Sequence, residues 1–275
     1  MTVLVTGASS GIGRAIAIRL AECGENVVAG VRRISDAPVH SRIRPVALDV
    51  TDAAQLAAAA KGLGPLSGLV NNAGITFSGP LEHMPLDRLR EQLEVNTVGV
   101  LAVAQAFLPA LRAGRGRLVM ISSTAGLVTV PLLGAYSASK FALEAIADAL
   151  RQELAPWGLP VIVVNPGSFK SQNRPKTNAK AESDRADMDE IAERQYGKAM
   201  DVLLQFNKKV EAGAGPPERV AAVVEQALTV RRPRPRYLVG SDARMTVALK
   251  RLLPTQTVDA LLSRFIGLPR SESSS

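Results

Sequence analysis

Tyr136 and Lys140 stand four residues apart in the run Ala135-Tyr-Ser-Ala-Ser-Lys140. The stretch from Tyr136 to Leu154 suits a helix, and residues i and i+4 share one helix face. An ammonium beside a phenol favours the phenolate and lowers a pKa that is ~10 in water. A tyrosine so placed can give or take a proton near neutral pH. Few reactions need such a group, and carbonyl reduction is one. By itself the pair is common on solvated helix faces, so its meaning depends on what the rest of the chain puts beside it.

A second group of residues suits phosphate. Thr6-Gly-Ala-Ser-Ser-Gly-Ile-Gly13 follows an aliphatic run and opens a helix. Glycines at 7, 11 and 13 allow a sharp turn and a close approach of backbone to ligand. The helix N-terminus adds free N–H groups and partial positive charge. Gly7, Ser9, Ser10, Gly11, Ile12 and Gly13 are therefore candidate contacts for a dinucleotide pyrophosphate. Further on, Val31-Arg32-Arg33 ends a second aliphatic run, with no acid before Asp36. NAD sites commonly place an acid there for the ribose 2′-OH. Arg32 and Arg33 suit a 2′-phosphate instead, so NADP(H) is expected over NAD(H).

These residues need elements to position them. Strand-like runs occur at Val3–Val5, Asn26–Val31, Pro45–Leu48, Gly68–Val70, Gly116–Ile121, Pro160–Val164 and Arg236–Val239. Helical segments lie between them at Gly13–Glu22, Ala53–Lys61, Leu86–Leu111 and Tyr136–Leu154. Alternating β and α with near-continuous apolar strands predicts a doubly wound parallel sheet covered on both faces. The expected architecture is a single-domain α/β Rossmann fold over 1–270 with about seven strands. Residues 168–213 break the rhythm and read as a small helical lid over the substrate. The segment 231–270 reads as a basic extension, and 271–275 as a disordered polar tail.

The chain has 275 residues and 47% hydrophobic content, enough for a substantial core, and only 4% aromatics. One cysteine, Cys23, rules out an intrachain disulfide and reads as a small buried side chain. Residues 231–270 hold nine basic against two acidic residues, +7 of the chain's net +8. Without aromatic interleaving or a DNA-binding motif, this charge does not suggest nucleic acid. The basic, leucine-bearing stretch from Thr246 to Leu268 suits an anionic membrane surface, but a final helix packed on the domain is the preferred expectation. The first strand begins at Thr2, leaving no room for a leader, and no apolar run approaches the ~18 residues of a membrane span. A cytoplasmic protein is expected. His40 and His83 are isolated and suggest no metal site. Trp157 reads as a packing residue.

In order and spacing, these pieces resemble the short-chain dehydrogenase/reductase family over about residues 1–240. The resemblance rests on the glycine loop, Asp49, Asn71-Asn-Ala-Gly74, Asn96, Ser122-Ser123, Tyr136 with Lys140, and Asn165-Pro-Gly167. It implies that Asp49 contacts adenine with Val50 packed there, and that Asn72, Ala73 and Gly74 line the adenosine side. Ser123 would hold the substrate oxygen and Tyr136 would pass it a proton. Lys140 would bind the ribose hydroxyls, and Asn96 would anchor a water that relays protons to Lys140. Pro166 and Gly167 would face the nicotinamide, with Phe169 among the cofactor contacts. One departure is Ser171, where the family usually has threonine. The family also implies a homodimer or homotetramer built on paired long helices.

The expected activity is NADP(H)-dependent interconversion of an apolar ketone or aldehyde and its alcohol. The aliphatic run from Leu127 to Leu133 suits an apolar pocket. Arg236-Tyr-Leu-Val-Gly240 and Arg251-Leu-Leu-Pro254 resemble members acting on steroids, retinoids or other lipid-like carbonyls. Reduction of 3-oxoacyl thioesters is an alternative in which the basic end would meet an acidic carrier. A non-catalytic NADP(H) sensor is another, although sensors on this fold often lose the tyrosine or lysine.

Overall fold

The computed structural model describes residues 1–170, 182–183, 185–186, 188–266 and 268. Ser171 and the polar tail lie outside the described residues. Seven parallel strands form one sheet in the order β3-β2-β1-β4-β5-β6-β7. They are β1 (Thr2–Thr6), β2 (Asn26–Val31), β3 (Ile43–Ala47), β4 (Gly68–Asn71), β5 (Arg117–Ile121), β6 (Val161–Pro166) and β7 (Arg236–Val239). The order reverses between β3 and β4, which puts a crevice beside the carboxyl ends of β1 and β4.

Alternation along the strands builds two cores. β1 sends Val3 and Val5 to one face and Leu4 to the other. β6 does the same with Ile162 and Val164 against Val161 and Val163. The first face is covered by α1 (Gly11–Glu22) and α7 (Glu218–Thr229), through Ile16, Leu20, Val220 and Val224. The second is covered by α4 (Gly99–Ala113) and α5 (Gly134–Glu153), through Phe107, Leu111, Leu143 and Ala147. A strand covered on both faces can be apolar throughout, which is why these runs were visible in the sequence.

α2 (Ala53–Lys61) is capped by Asp52, which accepts from Ala54 and Gln55 N–H. α3 (Leu86–Leu93) passes through a π turn, Glu94–Val98, into α4. Contrary to the sequence expectation, this continuous helix, Leu86–Ala113, is long and apolar enough to cross a membrane. Here Val100, Val103, Phe107 and Leu111 are instead buried in the core.

The expected lid contains α6 (Glu190–Gly213). Ala199, Met200 and Leu203 bury against Leu132 in the loop before α5. Tyr196 Oη donates to Glu82 at 2.6 Å. Two final helices, α8 (Ser241–Leu252) and α9 (Thr255–Ile266), follow β7. α8 packs through Ala243 and Val247 and leaves Met245, Leu249 and Leu252 exposed. Two expectations need correction. Cys23 is exposed, because it caps α1 rather than facing the core. Trp157 is 63% exposed, with the Arg112 guanidinium 5.2 Å from its ring centroid, so it is a surface cation–π partner.

Candidate active site

The glycine loop leaves β1 and enters α1 in the crevice. Gly7 and Gly11 have φ of +64° and +52°, conformations that side-chain-bearing residues rarely adopt. Gly13 is required for a different reason: a Cβ there would sit 2.3 Å from both Asn72 Nδ2 and the Gly7 carbonyl oxygen. Asn72 Nδ2 donates to the Thr6 and Gly7 carbonyls at 3.0 and 3.2 Å. Its side-chain amide N–H groups therefore help to shape the loop. Ser10 caps α1 without a side-chain bond, and the first turn carries no acid. Nothing in that turn competes with or repels an anion at the helix N-terminus, so the loop fits a dinucleotide pyrophosphate.

Asp49 lies past the end of β3 and is half-buried. Its carboxylate accepts from Thr51 N–H at 3.0 Å and from the Thr51 hydroxyl at 2.8 Å. Val50 is a core residue pressed toward Gly99. Past the end of β2, Arg33 donates through Nε to Asp36 at 2.9 Å. Arg32 is exposed and makes no ion pair among the described residues.

The tyrosine, lysine and asparagine are brought together by α5 and the π turn. Lys140 is 4% exposed, and its Nζ donates to the Ile121 carbonyl at the end of β5 at 3.0 Å. The same Nζ lies 5.9 Å from the Tyr136 ring centroid. Burial pushes the Lys140 ammonium down to about 8, and the nearby Glu144 carboxylate opposes that shift. Gly74 sits against Asn96 and Lys140: a Cβ there would be 3.1 Å from Asn96 Oδ1 and 3.9 Å from Lys140 Nζ.

Asn96 is fully buried in the π turn. Oδ1 accepts from Ile75 N–H at 2.8 Å, while Nδ2 donates to the Ile75 carbonyl at 2.9 Å and to Ser139 Oγ at 3.0 Å. Both amide donors are spent. Asn96 therefore holds the Asn72–Ile75 loop against α5, and its side chain has no N–H left for the water expected from the resemblance. π turns widen a helix by one residue and often mark functional sites; this one faces Lys140.

Ser123 follows β5 and is half-buried. Its Oγ accepts from Ala125 N–H at 3.1 Å, leaving its own proton available to donate. Pro166 ends β6. Gly167 N–H donates to the Val239 carbonyl at 2.9 Å, and Ser168 N–H donates to Asp242 Oδ2 at 2.7 Å. Phe169, expected among the cofactor contacts, is a core residue. Its ring is 5% exposed and lies in the core beneath the loop, where a Cβ on Gly215 would be 3.0 Å from Cε1.

The model of the family described as short chain dehydrogenase matches residues 1–182. The chain belongs to this family. Among relatives of this short-chain dehydrogenase is mouse retinol dehydrogenase 5, 35% identical over 97% of this chain and 89% of that protein. An NADPH-dependent 3-dehydrocapnine reductase from Ornithobacterium rhinotracheale is 36% identical over 98% and 99%. A Burkholderia cenocepacia short chain dehydrogenase solved with NADP superposes with a TM-score of 0.75 at 27% identity, covering 95% of this chain and 96% of that one. The dehydrogenase fold and oxidoreductase class expected from the residues are those of these relatives.

Several residues that shape the site were not singled out from the sequence. The Thr6 hydroxyl accepts from Asn72 and Ala73 N–H at 3.0 and 3.1 Å. Fully buried Gln92 accepts from Phe77 N–H and donates to the Ile75 carbonyl. Asn165 was quoted only as part of a motif, and its side chain bonds to three others' atoms. No spacing rule marks a buried amide whose partners are tens of residues away. Among the described residues, no cluster of three or more His, Cys, Asp or Glu could hold a metal ion.

Proposed function

We propose that this enzyme interconverts an apolar ketone or aldehyde and its alcohol using NADP(H), with Tyr136 exchanging the proton. The observation that carries the reading is the Lys140 ammonium, buried beside Tyr136 and next to Gly74 in the loop after β4. When bound, the nicotinamide would supply or accept the hydride. Reduction places a hydride on carbon and a proton on oxygen, so negative charge builds on that oxygen. The Tyr136 hydroxyl gives it a proton, and the Ser123 hydroxyl donates a hydrogen bond where the charge develops. Lys140 keeps positive charge beside the phenol, which favours the phenolate left behind. In oxidation the same phenolate takes the proton back.

Support for NADP(H) is local and comparative. Arg32, after β2, makes no ion pair among the described residues, one relative is named NADPH-dependent, and a solved relative holds NADP. Support for an apolar substrate comes from the apolar cluster in which Leu132 packs against Ala199, Met200 and Leu203 of α6, and from relatives named as retinol dehydrogenases. The test is NADPH oxidation against a panel of retinal, steroid ketones, aliphatic aldehydes and acetoacetyl thioesters, using wild type and Tyr136→Phe. The wild type should turn over an apolar carbonyl. The variant should lose at least ~100-fold in rate while still binding NADPH. Retained turnover in Tyr136→Phe would sink the mechanism.

A further inference from the structure

Behind Lys140 lies a second buried polar cluster that no step above uses. Glu144 sits one helical turn further along α5 and is 7% exposed. Its carboxylate accepts from Asn165 Nδ2 at 2.6 Å and forms an ion pair with the Arg236 guanidinium. Arg236, the first residue of β7, also donates to Asn165 Oδ1 at 3.1 Å. Asn165 in turn donates to the Ser123 carbonyl at 3.1 Å. One small cluster thus joins α5, β6, β7 and the turn that carries Ser123. Buried ion pairs commonly stabilise no better than apolar residues of similar volume. The location of this one, between two active-site elements, points to a role in the reaction.

We propose that Glu144, clamped by Arg236 and Asn165, is a positioning residue: it supplies the buried counter-charge for the Lys140 ammonium and, through Asn165, fixes the turn that presents Ser123. The proposal rests on the reading of Tyr136 and Lys140 as the reacting pair. Lys140 is cut off from water, and a buried ammonium sheds its proton unless an opposite charge stands near. Glu144 opposes that loss. Arg236 sets how strongly it does so, because a carboxylate already paired with a guanidinium projects less field onto a third group.

Among the described residues, the other titratable groups around the cluster are few. On α5 they are Tyr136, Lys140 and Asp148, the last 3.9 Å from Arg236 and paired with Arg151 at 3.0 Å. α8 contributes Asp242, turned to Ser168, and exposed Lys250, turned to the Leu127 carbonyl. α3 and the π turn carry Asp87, Arg88, Arg90, Glu91 and Glu94, all exposed or half-buried.

The arrangement makes a prediction of opposite signs. Glu144→Gln removes the counter-charge and leaves Arg236 positive, so Lys140 should deprotonate at lower pH. Arg236→Gln unmasks the carboxylate, so Lys140 should deprotonate at higher pH. Shifts of roughly one pH unit either way are expected. They are read directly from the NMR titration of 13Cε-labelled lysine, assigned with Lys140→Met, in the full chain without substrate. The alkaline limb of NADPH oxidation, with retinal as probe, should move in the same two directions. Glu144→Asp should restore the wild-type limb. If Glu144→Gln does not fold, Arg236→Gln carries the test alone: an upward shift supports the role, and an unmoved or downward titration overturns it. Equal rate losses at every pH in both variants would mean a purely structural pair. Should Tyr136→Phe remain active, the parent reading fails, while the lysine titration still reports whether Glu144 acts on Lys140.

Discussion

Arg32 and Arg33 are neighbours after β2 with different company. Arg33 is held by Asp36 through two nitrogens, both at 2.9 Å. That bond costs Arg33 much of its capacity to meet a phosphate, whereas Arg32 makes no ion pair among the described residues and can offer its guanidinium to one. The sequence offered both arginines, and the short turn Ile34–Asp36 that swings the acid back onto one of them divides their roles. A charge-assisted bond to a 2′-phosphate contributes ~1.5–3 kcal/mol. Arg32→Ala should therefore raise the KM for NADPH by roughly ten- to a hundredfold and leave that for NADH nearly unchanged, by steady-state kinetics with both cofactors. Equal effects on the two cofactors would count against a 2′-phosphate at this place.

At the scale of elements, the strands and most helices were legible because their periodicities are local. Asn26–Val31, Ala53–Lys61 and Arg236–Val239 have the boundaries expected of them. The π turn was not legible: one extra residue inside a helix running from Leu86 to Ala113 leaves the apolar pattern almost unchanged. The burial of Phe169 was not legible because it goes with a bridge to Gly215, 46 positions on. Glu144 and Arg236 are 92 residues apart, so only the assembled sheet brings them together. The same holds for Asp242. Its carboxylate occupies the room left by two glycines: a Cβ on Gly167 or Gly240 would lie 2.3 Å from Oδ1. From the start of α8 it ties down Ser168 N–H and with it the loop after β6. Asp242→Ala should free that loop, raising the KM for NADPH several-fold, while Asp242→Asn, which keeps an acceptor, should recover most of the affinity. If Asp242→Ala binds NADPH as tightly as wild type, β7 and α8 have no part in shaping the cofactor loop.

For the whole molecule, the family's habit of pairing long helices meets a specific surface on α5. Ala138, Ala142, Ala145 and Ala149 follow at helical spacing, on the side opposite Lys140. Ala138, Ala145 and Ala149 are exposed, as is Phe141 beside them. Methyl groups let two helix backbones approach closely and lose little side-chain entropy on contact. A second copy of α5 is an occupant that such a face fits, and the proposed assembly is a homodimer. Light scattering during size exclusion should give about twice the 29.0 kDa of one chain. Ala145→Arg, which puts a charge in the middle of the stripe, should return it to one. The active-site helix would then lose its outer support, so the variant should also melt lower, and its melting temperature should no longer rise with protein concentration. A wild-type chain that stays monomeric at micromolar concentration would leave the alanine face to some other contact and remove the dimer from this account.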